Sequence, residues 1–134
     1  MVGANTQGPG RFIARNESMT PRAAAYQQQI TGNPPNIIYL VNGVSFDGFV
    51  DGVLVDAKGL GYARFTRDGR FRDWFSGADD LLDQAIRQLN AAGETPIRWE
   101  VAEPEAVTAI MNLFRDNGIT GIDIVHTQPI VNND

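Results

Sequence analysis

Asp47, Asp56 and the chain's single lysine, Lys58, are the residues whose types and spacing point first to chemistry. They flank Asp51-Gly52, a dipeptide that between two apolar runs signals a two-residue hairpin turn. In that register Val50 faces Val53, Phe49 faces Leu54, Asp47 faces Asp56 and Ser45 faces Lys58. Strand alternation then puts Ser45, Asp47, Phe49, Leu54, Asp56 and Lys58 on one side. The other side reads Val44, Phe46, Gly48, Val50, Val53, Val55 and Ala57, so it is expected to pack the core and turn the carboxylates outward or into a cleft. Directly opposed side chains have Cβ atoms about 5 Å apart, and like charges there repel. The Lys58 ammonium answers part of that repulsion, and an oxygen-coordinated divalent cation answers more. Ten of the eleven basic residues are arginine, so the one lysine stands out where a compact, tunable charge is useful. An exposed hairpin face with a weak cross-strand ion pair has the same spacing.

The elements that must position these residues are legible along the chain. Thr20-Pro21 gives an N-cap and a proline at the first helical position, and Gly32 a stop, so a helix is expected between them. Ile37 to Val41, Asn42-Gly43, Val44 to Val50, Asp51-Gly52 and Val53 to Lys58 read as a three-stranded antiparallel meander. An Arg- and aromatic-rich loop follows from Leu60 to Phe75. Ala78 to Ala92 then predicts a helix with Leu82, Ala85, Ile86 and Leu89 on its apolar face. Ile97 to Val101 alternates as a strand, Pro104 to Gly118 reads as a helix carrying Val107, Ile110, Met111 and Phe114, and Ile122 to Val125 as a last strand. The expected architecture is α/β, an α+β mixed sheet in the order α-β-β-β-α-β-α-β. Residues 1–16 read as a flexible lead-in and 17–134 as a single domain.

Composition narrows the chemistry. With 134 residues, 43% hydrophobic and 20% charged, the chain suits one folded domain with one main site. The absence of cysteine removes disulfides and thiolate metal sites, and one histidine, His126, removes His-rich ones, so a metal must be held by oxygen. His126 is read as structural and Trp99 as core. No apolar run approaches the roughly 18 residues of a membrane span, and Met1 to Arg15 has no signal-peptide pattern, so neither anchor nor leader is expected. The net charge of −5 is opposite in sign to a nucleic-acid binder's usual footprint, with Arg64, Arg67, Arg70 and Arg72 forming a local basic patch.

Phe46-Asp47-Gly48 and Asp56-Ala57-Lys58-Gly59 resemble the PD-(D/E)xK nuclease signature of the restriction-endonuclease fold, without its proline. Together with Tyr26-Gln27, Ile30-Thr31-Gly32, Asn42-Gly43-Val44, Tyr62 and Arg98-Trp99, they resemble the group-five restriction-endonuclease-fold toxin domains of bacterial polymorphic toxins and type VI secretion effectors. The resemblance runs from about Pro21 to Pro129. It implies a restriction-endonuclease-like core and a metal-dependent nuclease, a DNase toxin used between bacteria. Asp47, Asp56 and the Ala57 carbonyl would hold Mg²⁺ or Mn²⁺, and Lys58 would orient the attacking water or stabilise charge developing on the phosphate. Gln27, Gln84, Arg64, Arg67, Arg70 and Arg72 are the candidate DNA contacts, with Gln84 and Gln88 also readable as surface glutamines. Implied partners are a DNA substrate, a cognate immunity protein and a parent secreted or type VI effector polypeptide, with no membrane. The protein would be made in the bacterial cytoplasm, delivered by a secretion system and act in the target cell's cytoplasm. An RNase, or a catalytically silent domain of this fold that binds nucleic acid or protein, are the alternatives.

Overall fold

The computed structural model describes residues 8–130. Helix α1 spans Pro21–Thr31; Thr20 caps it by accepting from the Ala23 amide at 3.1 Å, and Gly32 closes it at φ 76°. Two further α-helices among the described residues are α2 at Gly77–Ala92 and α3 at Pro104–Asp116. Part of the described lead-in, expected to be flexible, forms a strand. Arg11–Ala14 forms strand β1, antiparallel to β2 at Ile37–Val41, while residues 1–7 lie outside the described residues.

Both expected two-residue turns are present, with Asn42 and Gly43 at φ 50° and 81° and Asp51 and Gly52 at φ 50° and 82°. Positive φ at both central positions matches the twist of the flanking strands. Between the turns the chain is not one strand. Val44–Phe46 (β3) pairs with β2, and Gly48–Val50 (β4) pairs with Val53–Lys58 (β5) in a different sheet. The break falls at Asp47. It follows that Ser45 sits opposite Leu40, and its expected pairing with Lys58 does not occur. At Gly48 a Cβ would lie 2.9 Å from Thr31 Cγ2, so glycine lets this bend approach α1.

The segment expected as a loop contains a short 3₁₀ turn, Ala63–Phe65, and a third hairpin of Thr66–Arg67 (β6) and Arg70–Phe71 (β7), turned by Asp68-Gly69. The main sheet runs β4-β5-β8-β9, where β8 is Ile97–Val101 and β9 is Ile122–His126. β4 and β5 are antiparallel, and β5, β8 and β9 are parallel. Helix α1 covers one face, against β4 and β5, while α2 and α3 lie on the other around fully buried Trp99. This is a mixed α+β fold consistent with a restriction-endonuclease core.

Of the two expected settings for the carboxylates, outward or into a cleft, burial on both faces of β5 removes the outward one for Asp56, while Asp47 is half-buried. Leu54 and Val55 are both 0% exposed, and Asp56 and Lys58 are only 3% and 6% exposed. A strand with a parallel neighbour and helices on both sides has no solvent face. Helix α2 is also rotated from expectation: Leu81, Ala85, Gln88, Ala91 and Ala92 are buried, whereas Ile86 is exposed.

Candidate active site

The candidate site lies where β5 outruns β4. Beyond the last ladder pair, Gly48 with Val55, the chain turns at Asp47 and its side chain takes over the strand's hydrogen bonding. Asp47 Oδ2 accepts from the Ala57 amide at 2.8 Å, and the Asp47 amide donates to Asp56 Oδ1 at 3.2 Å. Because the Ala57 N–H points toward Asp47, strand geometry turns the Ala57 carbonyl to the same edge.

Asp56 and Lys58 stand two residues apart on β5 and therefore share a face. Lys58 Nζ donates to Asp56 Oδ2 at 2.8 Å and to Gln84 Oε1 at 2.5 Å. Gln84 Nε2 returns a bond to Asp56 Oδ2 at 2.9 Å, and Gln88 Nε2 donates to Asp56 Oδ1 at 3.2 Å. The ammonium also lies 4.3 Å from the centroid of the Trp99 ring, a cation–π contact. Asp56 thus accepts four hydrogen bonds, while Asp47 Oδ1 accepts none among the described residues.

Burial, followed by the Asp56 carboxylate, pushes Asp47 up to about 7; the Ala57 amide and Lys58 act against this, and Glu17 adds a smaller upward push. For Lys58, burial favours the neutral amine, but Asp56, with Tyr62 and Asp47, outweighs it and holds the ammonium above the ordinary lysine range. The site therefore joins a firmly charged ammonium to a carboxylate whose ionisation is opposed by a neighbouring carboxylate.

An additional cation fits this donor set. Two carboxylates and a backbone carbonyl, all hard oxygens, gather at one strand edge; Asp47 Oδ1 accepts no hydrogen bond among the described residues, while Asp56, with four acceptor positions taken, would ligate a cation in exchange for one of its present donors. No group of three or more acidic or histidine side chains of metal-binding geometry occurs among the described residues. Mg²⁺ suits such a partial set because it retains waters and takes phosphate oxygens as further ligands.

A family model described as restriction endonuclease fold toxin 5 matches residues 23–104, more than half of the chain. The chain belongs to the restriction endonuclease fold toxin 5 family. The match includes most of α1, Asp47, Asp56, Lys58, Gln84, Gln88 and Trp99. No curated protein matches the sequence. Membership in this toxin family carries nuclease activity as its general expectation, and nucleases of this fold generally use divalent metals.

The structure divides the other candidates. Gln84 enters the Asp56–Lys58 cluster, so its amide is already engaged there and is not held out toward DNA. Gln88, read also as a surface residue, is fully buried against Asp56 and Trp99. Gln27 is buried and donates to the Pro35 carbonyl at 3.2 Å, which assigns it to holding the loop after α1 instead of touching phosphate. Arg70 pairs with Asp116, Arg67 lies near Asp68 at 3.9 Å, and Arg64 stacks on Phe65. Arg70 and Arg72 open onto a surface cleft shared with Trp74, Asp79 and Asp116, apart from the Asp47–Asp56 edge. His126 Nε2 lies 3.2 Å from the Ala102 carbonyl, in keeping with a structural role.

Glu103 carries no motif in the sequence, yet it anchors the loop that leaves Lys58. Its Oε1 accepts from the amides of Gly61, Tyr62 and Ala63 at 3.0, 2.8 and 2.9 Å. The carboxylate oxygen thus satisfies three backbone N–H groups at the start of the 3₁₀ turn that have no partner within it. No local sequence pattern joins residues so far apart in the chain.

Proposed function

We propose that this member of the restriction endonuclease fold toxin 5 family is a Mg²⁺- or Mn²⁺-dependent DNase that hydrolyses phosphodiester bonds in a target cell. The observation that carries the reading is the convergence of Asp47, Asp56 and Lys58 within one hydrogen-bonded cluster. Asp47, Asp56 and the Ala57 carbonyl would hold the cation. When bound, that cation supplies charge neutralisation at the phosphodiester and activation of water.

The protein groups have separable tasks. Lys58, kept protonated, donates to the attacking water or to a phosphate oxygen as negative charge develops. Gln84 stands within hydrogen-bond distance of both Lys58 and Asp56, so it steadies the ammonium when substrate competes for its protons. Asp47 binds a cation best once deprotonated, above about pH 7. For an acidic chain, phosphate attraction must be local, and Arg64, Arg67 and Arg72 are the candidate extensions of the surface toward the DNA backbone.

The toxin reading brings with it a parent effector polypeptide, a delivery system and an immunity protein that protects the producing cell. Among the described residues no helix is long and apolar enough to cross a membrane. The direct test is incubation with supercoiled plasmid and, separately, with RNA, in Mg²⁺ and in EDTA. Mg²⁺-dependent plasmid nicking supports a DNase. RNA cleavage with intact plasmid replaces it with an RNase.

A further inference from the structure

Gln88 is a polar side chain at 0% exposure in the middle of α2, where an apolar residue would fill the same volume without desolvation. Its amide is engaged at both ends. Trp99 Nε1 donates to Gln88 Oε1 at 2.8 Å, and Gln88 Nε2 donates to Asp56 Oδ1 at 3.2 Å. An indole N–H can only donate, so the oxygen end of the amide must face Trp99. That leaves the NH₂ end for Asp56, where a carboxylate oxygen can only accept. The amide thus has one satisfied orientation.

The same indole carries the Lys58 ammonium over its ring. Asp56 and Lys58 are consequently joined directly at 2.8 Å, through Gln84, and through the path Asp56, Gln88, Trp99, Lys58. Trp99 itself is held against Phe114 at 5.2 Å between ring centroids and is fully buried. The path therefore runs through a closely packed part of the core. A neutral amide also fixes Asp56 without cancelling its charge, as an arginine or lysine in that place would.

We propose that Gln88 is a positioning residue, locked by the Trp99 N–H, that fixes the rotamer in which Asp56 faces Asp47 and Lys58. The proposal rests on the reading of Asp47, Asp56 and Lys58 as a hydrolytic centre. Partners that orient a metal ligand commonly change metal affinity or activity by about 10- to 100-fold when removed. Gln88→Met keeps the volume and removes both hydrogen bonds. Trp99→Phe keeps a ring beneath Lys58 and removes the N–H, releasing the amide to turn.

The experiment compares wild type, Gln88→Met, Trp99→Phe and the double variant by Mg²⁺ calorimetry without DNA, by kcat and KM on plasmid, and by thermal melting. Gln88→Met is expected to weaken Mg²⁺ binding or lower kcat by about 10- to 100-fold with little change in KM. Trp99→Phe should move the same quantity in the same direction by a smaller factor. The double variant should be no worse than Gln88→Met alone, because both changes cut one chain of bonds. If Gln88→Met does not fold, Trp99→Phe alone decides, since a pure packing role leaves its Mg²⁺ affinity and kcat at wild-type values. A cleaving wild type beside folded variants that match it in both quantities overturns the positioning role and leaves the hydrolytic reading intact. A wild type that neither binds Mg²⁺ nor cleaves overturns the hydrolytic reading and the positioning role with it.

Discussion

The Asp47 amide donates to the Asp56 carboxylate while the Asp47 carboxylate accepts from the amide that follows Asp56, so two acidic residues hold each other in place through the backbone. This arrangement explains how like charges persist at a strand edge: each carboxylate is tied to an N–H, and Lys58 balances the pair. It also sets a pH dependence. Asp47 is raised to about 7 from an ordinary 3.8, so between those values the folded protein holds a proton that the unfolded chain has released. Stability without metal should therefore fall as pH rises through this window. Asp47→Asn should remove that fall and raise stability at pH 8 by on the order of 1 to 3 kcal/mol, read from denaturant unfolding at pH 5 and pH 8.

Asp56 and Lys58 form a buried pair, with each side chain under 10% exposed. Removing either partner leaves a buried charge, at a cost of about 3 to 5 kcal/mol, so Asp56→Ala and Lys58→Ala should unfold more readily than surface substitutions do. The paired apolar replacement Asp56→Leu with Lys58→Met should be markedly less destabilised than the sum of its single changes. A double-mutant cycle by chemical denaturation measures this, and simple additivity would show that the pair is not coupled.

That burial marks the limit of what could be read from the chain. Caps, turns and register are local, so α1 and the Gly48–Val55, Phe49–Leu54 and Val50–Val53 pairs follow from Thr20-Pro21 and Asp51-Gly52. What covers β5 is not local. The run Val53-Leu54-Val55 already has the uninterrupted apolar character of a strand buried on both faces, and this outweighs an alternation rule suited to half-buried sheets. The break at Asp47 is accompanied by the close approach of Gly48 to Thr31 of α1, and the buried Gln88 meets Trp99, contacts made only in the folded chain. By contrast, Asp68-Gly69 is a turn signal of the same kind as Asp51-Gly52, and it alone could have revealed the third hairpin.

Glu103 should matter to the fold through the three amides it gathers. Glu103→Ala leaves them without their acceptor and should cost about 1 to 3 kcal/mol. Glu103→Gln keeps a carbonyl oxygen in place and should cost less. Thermal melting of the two variants orders them.

The arginines around the third hairpin should differ in their effect on DNA. Arg70 is held by Asp116, whereas Arg64, Arg67 and Arg72 have no such strong ionic partner among the described residues. Replacing Arg64, Arg67 and Arg72 by Gln should weaken DNA binding and flatten its salt dependence, by about one in the logarithmic slope for each phosphate that an arginine no longer neutralises. Titration in Ca²⁺ at several salt concentrations tests this, and an unchanged slope places the DNA on another surface.

The role of the acidic edge is tested most directly by Mg²⁺-dependent plasmid cleavage by Asp47→Asn protein. This variant keeps the oxygen that accepts from the Ala57 amide and relieves the repulsion from Asp56, so it should fold at least as stably as wild type at pH 8. A folded Asp47→Asn protein should cleave at least about a hundredfold more slowly than wild type, because the cation loses a charged ligand. Cleavage at the wild-type rate by that folded variant would contradict a hydrolytic centre built on Asp47, Asp56 and Lys58.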